Sequence, residues 1–311
     1  MKVLITGGAG FIGSNLARAF IKEGVKVKII DNFSTGKREN IEDIKDKIEF
    51  IEGDITDKRT IEEAVKGVDY VLHEAAIPSV ARSVEDPISS NHANITGTLL
   101  LLEASRRFNI KRVIYASSSS AYGDTPTLPK REDMKPLPLS PYAITKLTGE
   151  YYMKVYCELF KVETISLRYF NVFGPYQDPK SEYAAVIPRF ITRMLRDEPP
   201  VIFGDGLQTR DFCYIDNVID ANFKAIKAGR VAVGKVFNIA CGRRIDLLTL
   251  VDIINKYLGK DLKPIFDKPR PGDIKHSLAD ISLAKKLLGY EVKVEVEEGL
   301  KRTIDWFKTV I

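Results

Sequence analysis

The sequence has few of the residues that cross-link small proteins or bind metals. Its three cysteines, Cys157, Cys213 and Cys241, lie far apart in a chain of 311 residues, and there are only three histidines. Neither spacing matches a disulfide framework or a zinc site. No apolar run approaches the roughly 20 residues that span a bilayer, and glycines follow Met1 too closely for a signal peptide. We therefore expect a reduced, soluble, cytoplasmic protein with no metal and no membrane contact.

A strong charge of one sign is also absent. The chain has 47 lysine and arginine residues against 42 aspartate and glutamate residues, a net charge of +5. The charges are interspersed without a long basic block, which disfavours a nucleic-acid partner and leaves a small anionic ligand possible. The length suffices for a large core in one domain or in two closely packed domains.

The first half of the sequence alternates short apolar runs with amphipathic stretches. This pattern is typical of βαβ units, whose right-handed crossovers build a doubly wound parallel sheet. The predicted strands are Lys2–Thr6, Lys26–Asp31, Ile48–Glu52, Tyr70–His73, Arg112–Ser117 and Glu163–Tyr169. The predicted helices are Ser14–Glu23, Lys58–Val65, Asn91–Phe108 and Pro141–Phe160. We expect this α/β Rossmann sheet to occupy residues 1–170.

Beyond residue 170 prolines and glycines become frequent and the alternation breaks up. We expect residues 171–311 to form a smaller, loop-rich mixed α/β domain at the carboxyl edge of the sheet. The β-rich run Val236–Ala240 is predicted to rejoin the first domain, while Leu283–Leu288 and Val296–Phe307 are predicted to be terminal helices.

A glycine-rich loop directly follows the first predicted strand. Its glycines Gly7, Gly10 and Gly13 have the spacing GxxGxxG and precede a predicted helix. Glycine permits a tight turn and lets the backbone approach a pyrophosphate, and the helix N-terminus adds free N–H groups and a positive dipole end. The loop therefore predicts a dinucleotide site.

An acidic residue, Asp31, ends the second predicted strand. A carboxylate at this place accepts hydrogen bonds from the ribose hydroxyls of the adenosine and repels a 2′-phosphate, which favours NAD over NADP. Lys37 and Arg38 follow closely and are the residues that could favour NADP instead. The adenine and ribose would also lie against the carboxyl ends of the next strands, at Asp54, Ile55, Ala75 and Ala76.

The predicted helix Pro141–Phe160 carries Tyr142 and Lys146. Their four-residue spacing puts both side chains on one helix face. Because a free tyrosine has a pKa of about 10, its use as a base near neutral pH requires roughly 4 kcal/mol of stabilisation of the phenolate, which a nearby ammonium can contribute. The serine run Ser117–Ser120 follows a buried-looking strand and offers a hydroxyl that can relay a proton.

These motifs resemble those of the extended short-chain dehydrogenase/reductase superfamily over essentially the whole chain. The segments that are similar to nucleotide-sugar 4-epimerases of the UDP-glucose/UDP-N-acetylglucosamine type are TGGAGFIG, DNFSTG, SPYAITK, RYFNVFGP, GDGLQTRDF and PRPGDIKHSLAD. In that family the catalytic hydroxyl lies four residues before the tyrosine of a Tyr-Gly pair, which here is Ser118 before Tyr122.

The motifs and this resemblance together imply three sets of residues. The catalytic set is Ser118, Tyr142 and Lys146. The cofactor set is Gly7, Gly10, Phe11, Ile12, Gly13, Asp31, Asn32, Ser34, Thr35, Gly36, Asp54, Ile55, Ala75, Ala76, Tyr142, Lys146 and Phe170. The substrate set is Ser118, Tyr142, Asn171, Ala185, Val186, Arg189, Phe203, Arg210, Arg270, Asp273 and Ser277, with Arg210 and Arg270 on the diphosphate and Asp273 on the ribose.

The resemblance implies a reaction in which NAD is recycled. Tyr142, aided by Lys146 and Ser118, takes the proton of the sugar 4-hydroxyl, and the sugar passes through a 4-ketone that is reduced from its other face. Related dehydratases and decarboxylating enzymes carry a carboxylate directly after the catalytic hydroxyl, where this chain has Ser119 and Ser120. Two further alternatives are a net reductase or oxidoreductase of nucleotide sugars and a non-catalytic protein that senses NAD.

Two finer expectations come from the same resemblance. Members restricted to UDP-glucose and UDP-galactose have a tyrosine four residues after the ribose-binding aspartate, and this chain has Ser277 there, so we expect N-acetylated sugars to be accepted. The superfamily also pairs two helices in a homodimer, here Asn91–Phe108 and Pro141–Phe160, with Leu99–Leu102 as an apolar surface that the chain's own core could equally use.

Overall fold

The computed structural model describes residues 1–179, 185–269 and 274–311. The strands of these ranges are β1 (Lys2–Thr6), β2 (Lys26–Asp31), β3 (Ile48–Glu52), β4 (Tyr70–His73), β5 (Arg112–Ser118), β6 (Thr164–Tyr169), β7 (Val172–Phe173), β8 (Val201–Phe203), β9 (Thr209–Arg210), β10 (Cys213–Tyr214), β11 (Val236–Ile239), β12 (Ile245–Asp246) and β13 (Ile265–Asp267). The helices are α1 (Phe11–Lys22), α2 (Lys58–Val65), α3 (Val80–Glu85), α4 (Pro87–Asn91), α5 (Gly97–Arg107), α6 (Pro141–Phe160), α7 (Val186–Leu195), α8 (Ile215–Lys227), α9 (Leu247–Leu258), α10 (Ser282–Leu288) and α11 (Val296–Val310).

Seven of the strands form one parallel sheet in the order β11-β6-β5-β4-β1-β2-β3. The chain winds from β1 outwards to β3 and then returns to β4 on the other side of β1, so the winding reverses between β1 and β4. In doubly wound sheets ligands bind at the carboxyl ends of the strands at such a reversal. The predicted doubly wound parallel sheet is confirmed.

Alternating side chains of the strands fill two cores, one on each face of the sheet. On one face Val3 and Ile5 of β1 pack with α1 and α8, and on the other Leu4 packs with α2, α5 and α6. Strands that are buried on both faces read as continuous apolar runs, which is why the parallel strands were visible in the sequence.

Two helices of the first half of the chain differ from their predicted bounds, and each terminal helix differs at one end. The first begins at Phe11 rather than Ser14, because Gly10 already has the extended backbone of an N-cap. The predicted helix Asn91–Phe108 is divided into α4, a π-helical turn at His92–Thr96 and α5. The buried Asn94 of this turn bonds the backbone of Ile77 through both ends of its amide. Such tertiary contacts are invisible in the local sequence pattern.

Beyond β6 the chain builds three two-stranded sheets, which pair β10 with β7, β12 with β9 and β13 with β8. Between them β11 pairs with β6 in the central sheet. The predicted division into domains 1–170 and 171–311 stays a prediction. Across the three described ranges, no helix is long and apolar enough to cross a membrane.

Candidate active site

The loop between β1 and α1 lies at the point where the winding of the sheet reverses. Gly7 has a φ of 68°, and a Cβ on it would come within 2.7 Å of the Ala75 Cα behind β4. A Cβ on Gly13 would come within 2.3 Å of the Gly7 carbonyl oxygen. No side chain caps the first turn of α1. The loop thus presents bare backbone N–H groups and a helix N-terminus, which suit a pyrophosphate.

The carboxylate of Asp31 is buried beside this loop. It accepts hydrogen bonds from the N–H groups of Ala9 at 2.9 Å and Phe33 at 2.8 Å. Burial raises the pKa of Asp31, although these two bonds oppose the shift. A Cβ on Gly36 would come within 2.9 Å of both carboxylate oxygens. The glycine therefore leaves the carboxylate open towards the neighbouring cavity, where ribose hydroxyls could donate to it.

That cavity has a volume of about 1000 Å³, which is large enough for a dinucleotide. Fourteen residues of the predicted cofactor set line it: Gly7, Gly10, Phe11, Ile12, Gly13, Asp31, Asn32, Ser34, Thr35, Gly36, Asp54, Ile55, Ala75 and Ala76. The other three, Tyr142, Lys146 and Phe170, are not among its lining residues, and Phe170 is buried in the core. The glycine backbone, the acidic residue and the volume together fit NAD.

Two basic residues near the cavity already have ion-pair partners. Lys37 Nζ lies 2.7 Å from the carboxylate of Asp178, and both residues line the cavity. Arg38 pairs with Glu52 at 2.7 Å and stacks on the Phe33 ring. Neither cation is directed to a 2′-phosphate, which agrees with the choice of NAD over NADP.

A buried hydrogen-bond chain that sequence reasoning missed supports the loops. Thr98 Oγ1 donates its one proton to the Asn94 carbonyl, so it must accept from His73 Nε2 at 2.8 Å. His73 Nδ1 then accepts from Thr6 Oγ1 at 2.7 Å, and Thr6 Oγ1 accepts from the Ala75 N–H. Burial lowers the pKa of His73 to about 3, so the ring is neutral and this direction persists at neutral pH.

The predicted catalytic side chains meet at the carboxyl end of β5. Ser118 is the last residue of that strand, and Tyr142 and Lys146 lie on the first two turns of α6, which begins after the N-cap Ser140. The Ser118 hydroxyl lies close enough to Tyr142 to lower the pKa of its phenol. Lys146 Nζ lies 6.0 Å from the centre of the Tyr142 ring and donates to the Ala116 carbonyl at 2.7 Å.

A buried ion pair holds α6 in this position. Arg168 donates from Nε and Nη2 to the two oxygens of the Glu150 carboxylate, each at 2.7 Å, and each side chain is only 4% exposed. The Ser117 hydroxyl, one residue before Ser118, donates to the same carboxylate. Because Glu150 lies one turn beyond Lys146, the pair connects the catalytic helix to both β5 and β6.

Burial has the largest effect on the ionisation of Tyr142. It raises the pKa of Tyr142 to about 12, although the Ser118 hydrogen bond acts in the opposite direction. The charge of Glu74 raises the pKa of Tyr142 further, and the lowering that we expected from Lys146 is not observed, so the phenol is protonated at neutral pH.

Sequence reasoning missed a carboxyl group near this cluster. Glu74 directly follows β4, lines the large cavity and accepts a hydrogen bond from the Tyr169 hydroxyl at 3.0 Å. Burial raises the pKa of Glu74 and lowers that of Lys146. An acidic residue immediately after a buried strand was the available signal, since the carboxyl ends of the strands meet at this edge.

A second cavity of about 290 Å³ adjoins the first, because Val172 and Ala185 line both. It gathers six residues of the predicted substrate set: Asn171, Ala185, Val186, Arg189, Phe203 and Arg210. The Arg189 guanidinium stacks on the Phe203 ring, 5.2 Å from its centre. Cationic and aromatic groups in one cleft suit a nucleoside diphosphate.

The remaining substrate residues are placed as follows. Ser277 Oγ lies 3.5 Å from the Asn171 amide nitrogen, and its backbone N–H donates to the Thr209 carbonyl. Arg270 and Asp273 lie outside the described residues, so their predicted roles stay predictions.

The model of the NAD dependent epimerase/dehydratase family matches residues 3–240. The chain belongs to this family. The family resemblance and the NAD cofactor inferred from the sequence are thereby confirmed.

Individual relatives span nearly the same length as this chain. A UDP-N-acetylglucosamine 4-epimerase from Methanobrevibacter ruminantium, solved with UDP-N-acetylmuramic acid, is 42% identical with a TM-score of 0.95 and covers 100% of this chain and 99% of its own. A UDP-glucose 4-epimerase from Thermotoga maritima, solved with UDP-glucose, is 39% identical with the same coverage and a TM-score of 0.95. A UDP-glucose 4-epimerase from Mycolicibacterium smegmatis is 37% identical over 99% of both chains.

Some relatives of this chain are named for other sugar nucleotides. A UDP-glucuronate 4-epimerase from Thermodesulfobacterium geofontis is 36% identical over 98% of this chain and 95% of its own. A UDP-N-acetyl-alpha-D-glucosaminuronate decarboxylase from Bacillus cytotoxicus is 34% identical over 99% and 98%. Family membership therefore leaves the sugar to be argued from the residues.

The close packing of Gly13 yields a test of the cofactor site. Gly13→Ala should weaken NAD binding about tenfold or more, because overpacking at such a contact costs roughly 1–3 kcal/mol. The measurement is calorimetric titration with NAD. Gly229→Ala is the matched control, since a Cβ on Gly229 would meet nothing within 4 Å. Equal NAD affinity in the two variants would contradict the assignment of the loop.

Proposed function

We propose that this protein is a UDP-sugar 4-epimerase, acting on UDP-glucose and UDP-galactose and also on their N-acetylated counterparts. The observation that carries the proposal is the meeting of Ser118, Tyr142 and Lys146 at the carboxyl end of β5, the edge of the sheet at which the larger cavity also lies. One cavity fits NAD, and the other combines arginines with an aromatic ring. The epimerases among the relatives support the same reaction.

Each residue of the trio has a part in moving the proton of the sugar 4-hydroxyl. Tyr142 Oη takes this proton, directly or through the nearby hydroxyl of Ser118. Lys146 stabilises the phenolate electrostatically. Bound NAD supplies a reversible hydride acceptor, so the sugar can pass through a 4-ketone and regain a hydrogen on its other face. The proton then returns from Tyr142 to the new 4-hydroxyl.

The second cavity would hold the part of the substrate that does not react. Arg210 is suited to the diphosphate, and Arg189 and Phe203, which stack on one another, are suited to the uridine. Asn171 would add a hydrogen bond to the diphosphate, with Arg270 and Asp273 completing the site. A firm hold on UDP leaves the sugar free to turn and present either face to the same base.

The residues after Ser118 favour epimerisation over dehydration or decarboxylation. Ser119 and Ser120 offer no carboxyl group there. Glu74 is a carboxyl group near the trio, but one of its oxygens is bonded to Tyr169. Product analysis distinguishes epimerisation from dehydration and decarboxylation. A net reductase would change the NADH level, and a protein that only senses NAD would form no product.

A conservative variant tests the assigned base. Tyr142→Phe should lower turnover at least a hundredfold, as general acid–base catalysis contributes about 10²–10⁴, while UDP still binds. Proton NMR of incubations with UDP-glucose would follow the C4 epimer, and calorimetry would follow UDP. Tyr257→Phe, near the C-terminus of α9 and outside the lining of both cavities, serves as the control. Unchanged turnover in Tyr142→Phe would refute the mechanism.

The small side chain of Ser277 supports acceptance of N-acetylated sugars. It lies beside Asn171, so a phenol ring at this position would reduce the free space near the sugar. Ser277→Tyr should lower kcat/KM for UDP-N-acetylglucosamine about tenfold or more, a difference of about 1.4 kcal/mol, and leave UDP-glucose nearly unchanged. Side-by-side NMR assays with both sugars and with UDP-glucuronate measure this. Equal losses for UDP-glucose and UDP-N-acetylglucosamine would contradict a specificity role.

We also propose a homodimer formed through α6. Its exposed face carries Tyr151, Val155 and Leu159, spaced four residues apart, and these side chains are 57%, 41% and 69% exposed. A two-fold axis would place the same apolar stripe of a second copy opposite this one. The α5 run contributes less than the sequence suggested, because Leu101 and Leu102 are buried in the chain's own core.

The dimer can be tested by sedimentation velocity. Leu159→Glu should shift the protein to a monomer, since it places a charge at the proposed interface, whereas Val231→Glu should not. Val231 is similarly exposed at 61% and lies in a separate 3₁₀ turn. A wild-type protein that sediments as a monomer at all concentrations would disprove the dimer.

A further inference from the structure

Asp211 is a buried acidic residue that the reaction proposed above does not use. It lies in the short connection between β9 and β10, directly after Arg210, and it is fully buried. Because burying a carboxylate without partners is costly, the groups that surround this side chain indicate what it does.

Three backbone N–H groups donate to the Asp211 carboxylate. Oδ1 accepts from Cys241 at 3.0 Å, and Oδ2 accepts from Gly242 and Ala279, both at 3.1 Å. Cys241 and Gly242 lie in the connection between β11 and β12, whereas Ala279 lies shortly before α10. Burial raises the pKa of Asp211 to about 7, and these hydrogen bonds act in the opposite direction. One side chain thus joins its own loop to two other segments of the chain.

The segment that contains Ala279 also lies along β9. Thr209 of β9 donates its N–H to the Lys275 carbonyl, and the Thr209 carbonyl accepts from the Ser277 N–H, both at 3.0 Å. Two residues further on, the Ala279 N–H donates to the Asp211 carboxylate. Ser277 is therefore held by the backbone of β9 on one side and by the attachment to Asp211 on the other.

The residues assigned to the substrate adjoin these contacts. Arg210 directly precedes Asp211 and lines the second cavity, as does Asn171. Asn171 donates from Nδ2 to the Asp211 carbonyl at 3.0 Å, and the same nitrogen lies 3.5 Å from Ser277 Oγ. Asp211 is not among the lining residues of that cavity. Any effect it has on a ligand there must act through these neighbours.

We propose that Asp211 is a positioning residue for the UDP-sugar, whose carboxylate fixes residues 241–242 and 275–279 against β9 and so holds Arg210 and Ser277 in place for binding. This inference rests on the proposed function. A carboxylate suits the position because it offers two acceptor atoms and no donor to the three N–H groups. An amide has a single acceptor atom, so in either orientation it leaves at least one of these N–H groups without an acceptor.

The variant Asp211→Asn tests this role at pH 8, where the wild-type side chain is a carboxylate. It should bind UDP about tenfold more weakly or worse, because a buried N–H without an acceptor shifts an equilibrium by about that factor. Its affinity for NAD should match the wild type, since the contacts of Asp211 lie in the substrate loops. Calorimetric titrations with UDP and with NAD measure both affinities.

Kinetics and a matched control separate positioning from a general loss of stability. With UDP-glucose, KM should rise about tenfold and kcat should stay within about twofold, as expected when uniform binding is lost. The control is Asn255→Asp, since the buried Asn255 also accepts a backbone N–H, that of Leu262 at 3.0 Å, and lines neither cavity. It should lower the melting temperature and leave UDP affinity unchanged. Wild-type UDP affinity in Asp211→Asn, or equal losses for UDP and NAD, would overturn the proposal.

A second variant decides the matter if Asp211→Asn does not fold. Ala279→Pro removes one of the three N–H groups and leaves the carboxylate with its other two donors. It should weaken UDP binding and not NAD binding, and an unchanged UDP affinity would overturn the inference. A wild type that binds UDP but epimerises no UDP-sugar would refute the proposed function, while the UDP affinities of the variants would still decide the role of Asp211.

Discussion

The close packing of the glycine loop against the end of β4 is the constraint on which the rest of the site depends. The Gly7 backbone lies so near Ala75 that a single added carbon would collide with it. This contact joins the loop after β1 to the loop after β4, where the winding of the sheet reverses. The hydrogen-bond chain through Thr6, His73 and Thr98 supports both loops. The cofactor cavity opens directly above, and Glu74 faces it because it is the neighbour of Ala75.

Burial governs the chemistry of the catalytic cluster. It raises the pKa of Tyr142 and lowers that of Lys146, so burial favours the neutral form of both groups. A phenolate beside an ammonium therefore needs further stabilisation; the Ser118 hydroxyl lowers the pKa of Tyr142, whereas the charge of Glu74 raises it. The Glu150–Arg168 pair contributes position rather than net charge, because its two opposite charges lie only 2.7 Å apart.

The relatives are named for different sugars, although they resemble this chain over nearly its whole length. In the proposed function the glycine loop and the trio act at C4, a position common to glucose, N-acetylglucosamine and glucuronate. The same proposal assigns the choice among sugars to a few other side chains, such as Ser277, which lies beside Asn171 of the second cavity. A high TM-score with each of two epimerases therefore says more about the reaction than about the sugar.

Local sequence by itself determined the strands, the glycine loop, Asp31 and the pairing of Tyr142 with Lys146. Each of these depends on neighbours within a few residues, through periodicity or spacing along one element. Tertiary structure alone decided the π-helical turn at Asn94, the ion pair of Lys37 with Asp178, and the hydrogen bond from Tyr169 to Glu74. These features join residues that are distant along the chain, so they exist only once the parallel strands have brought their carboxyl ends to one edge of the sheet.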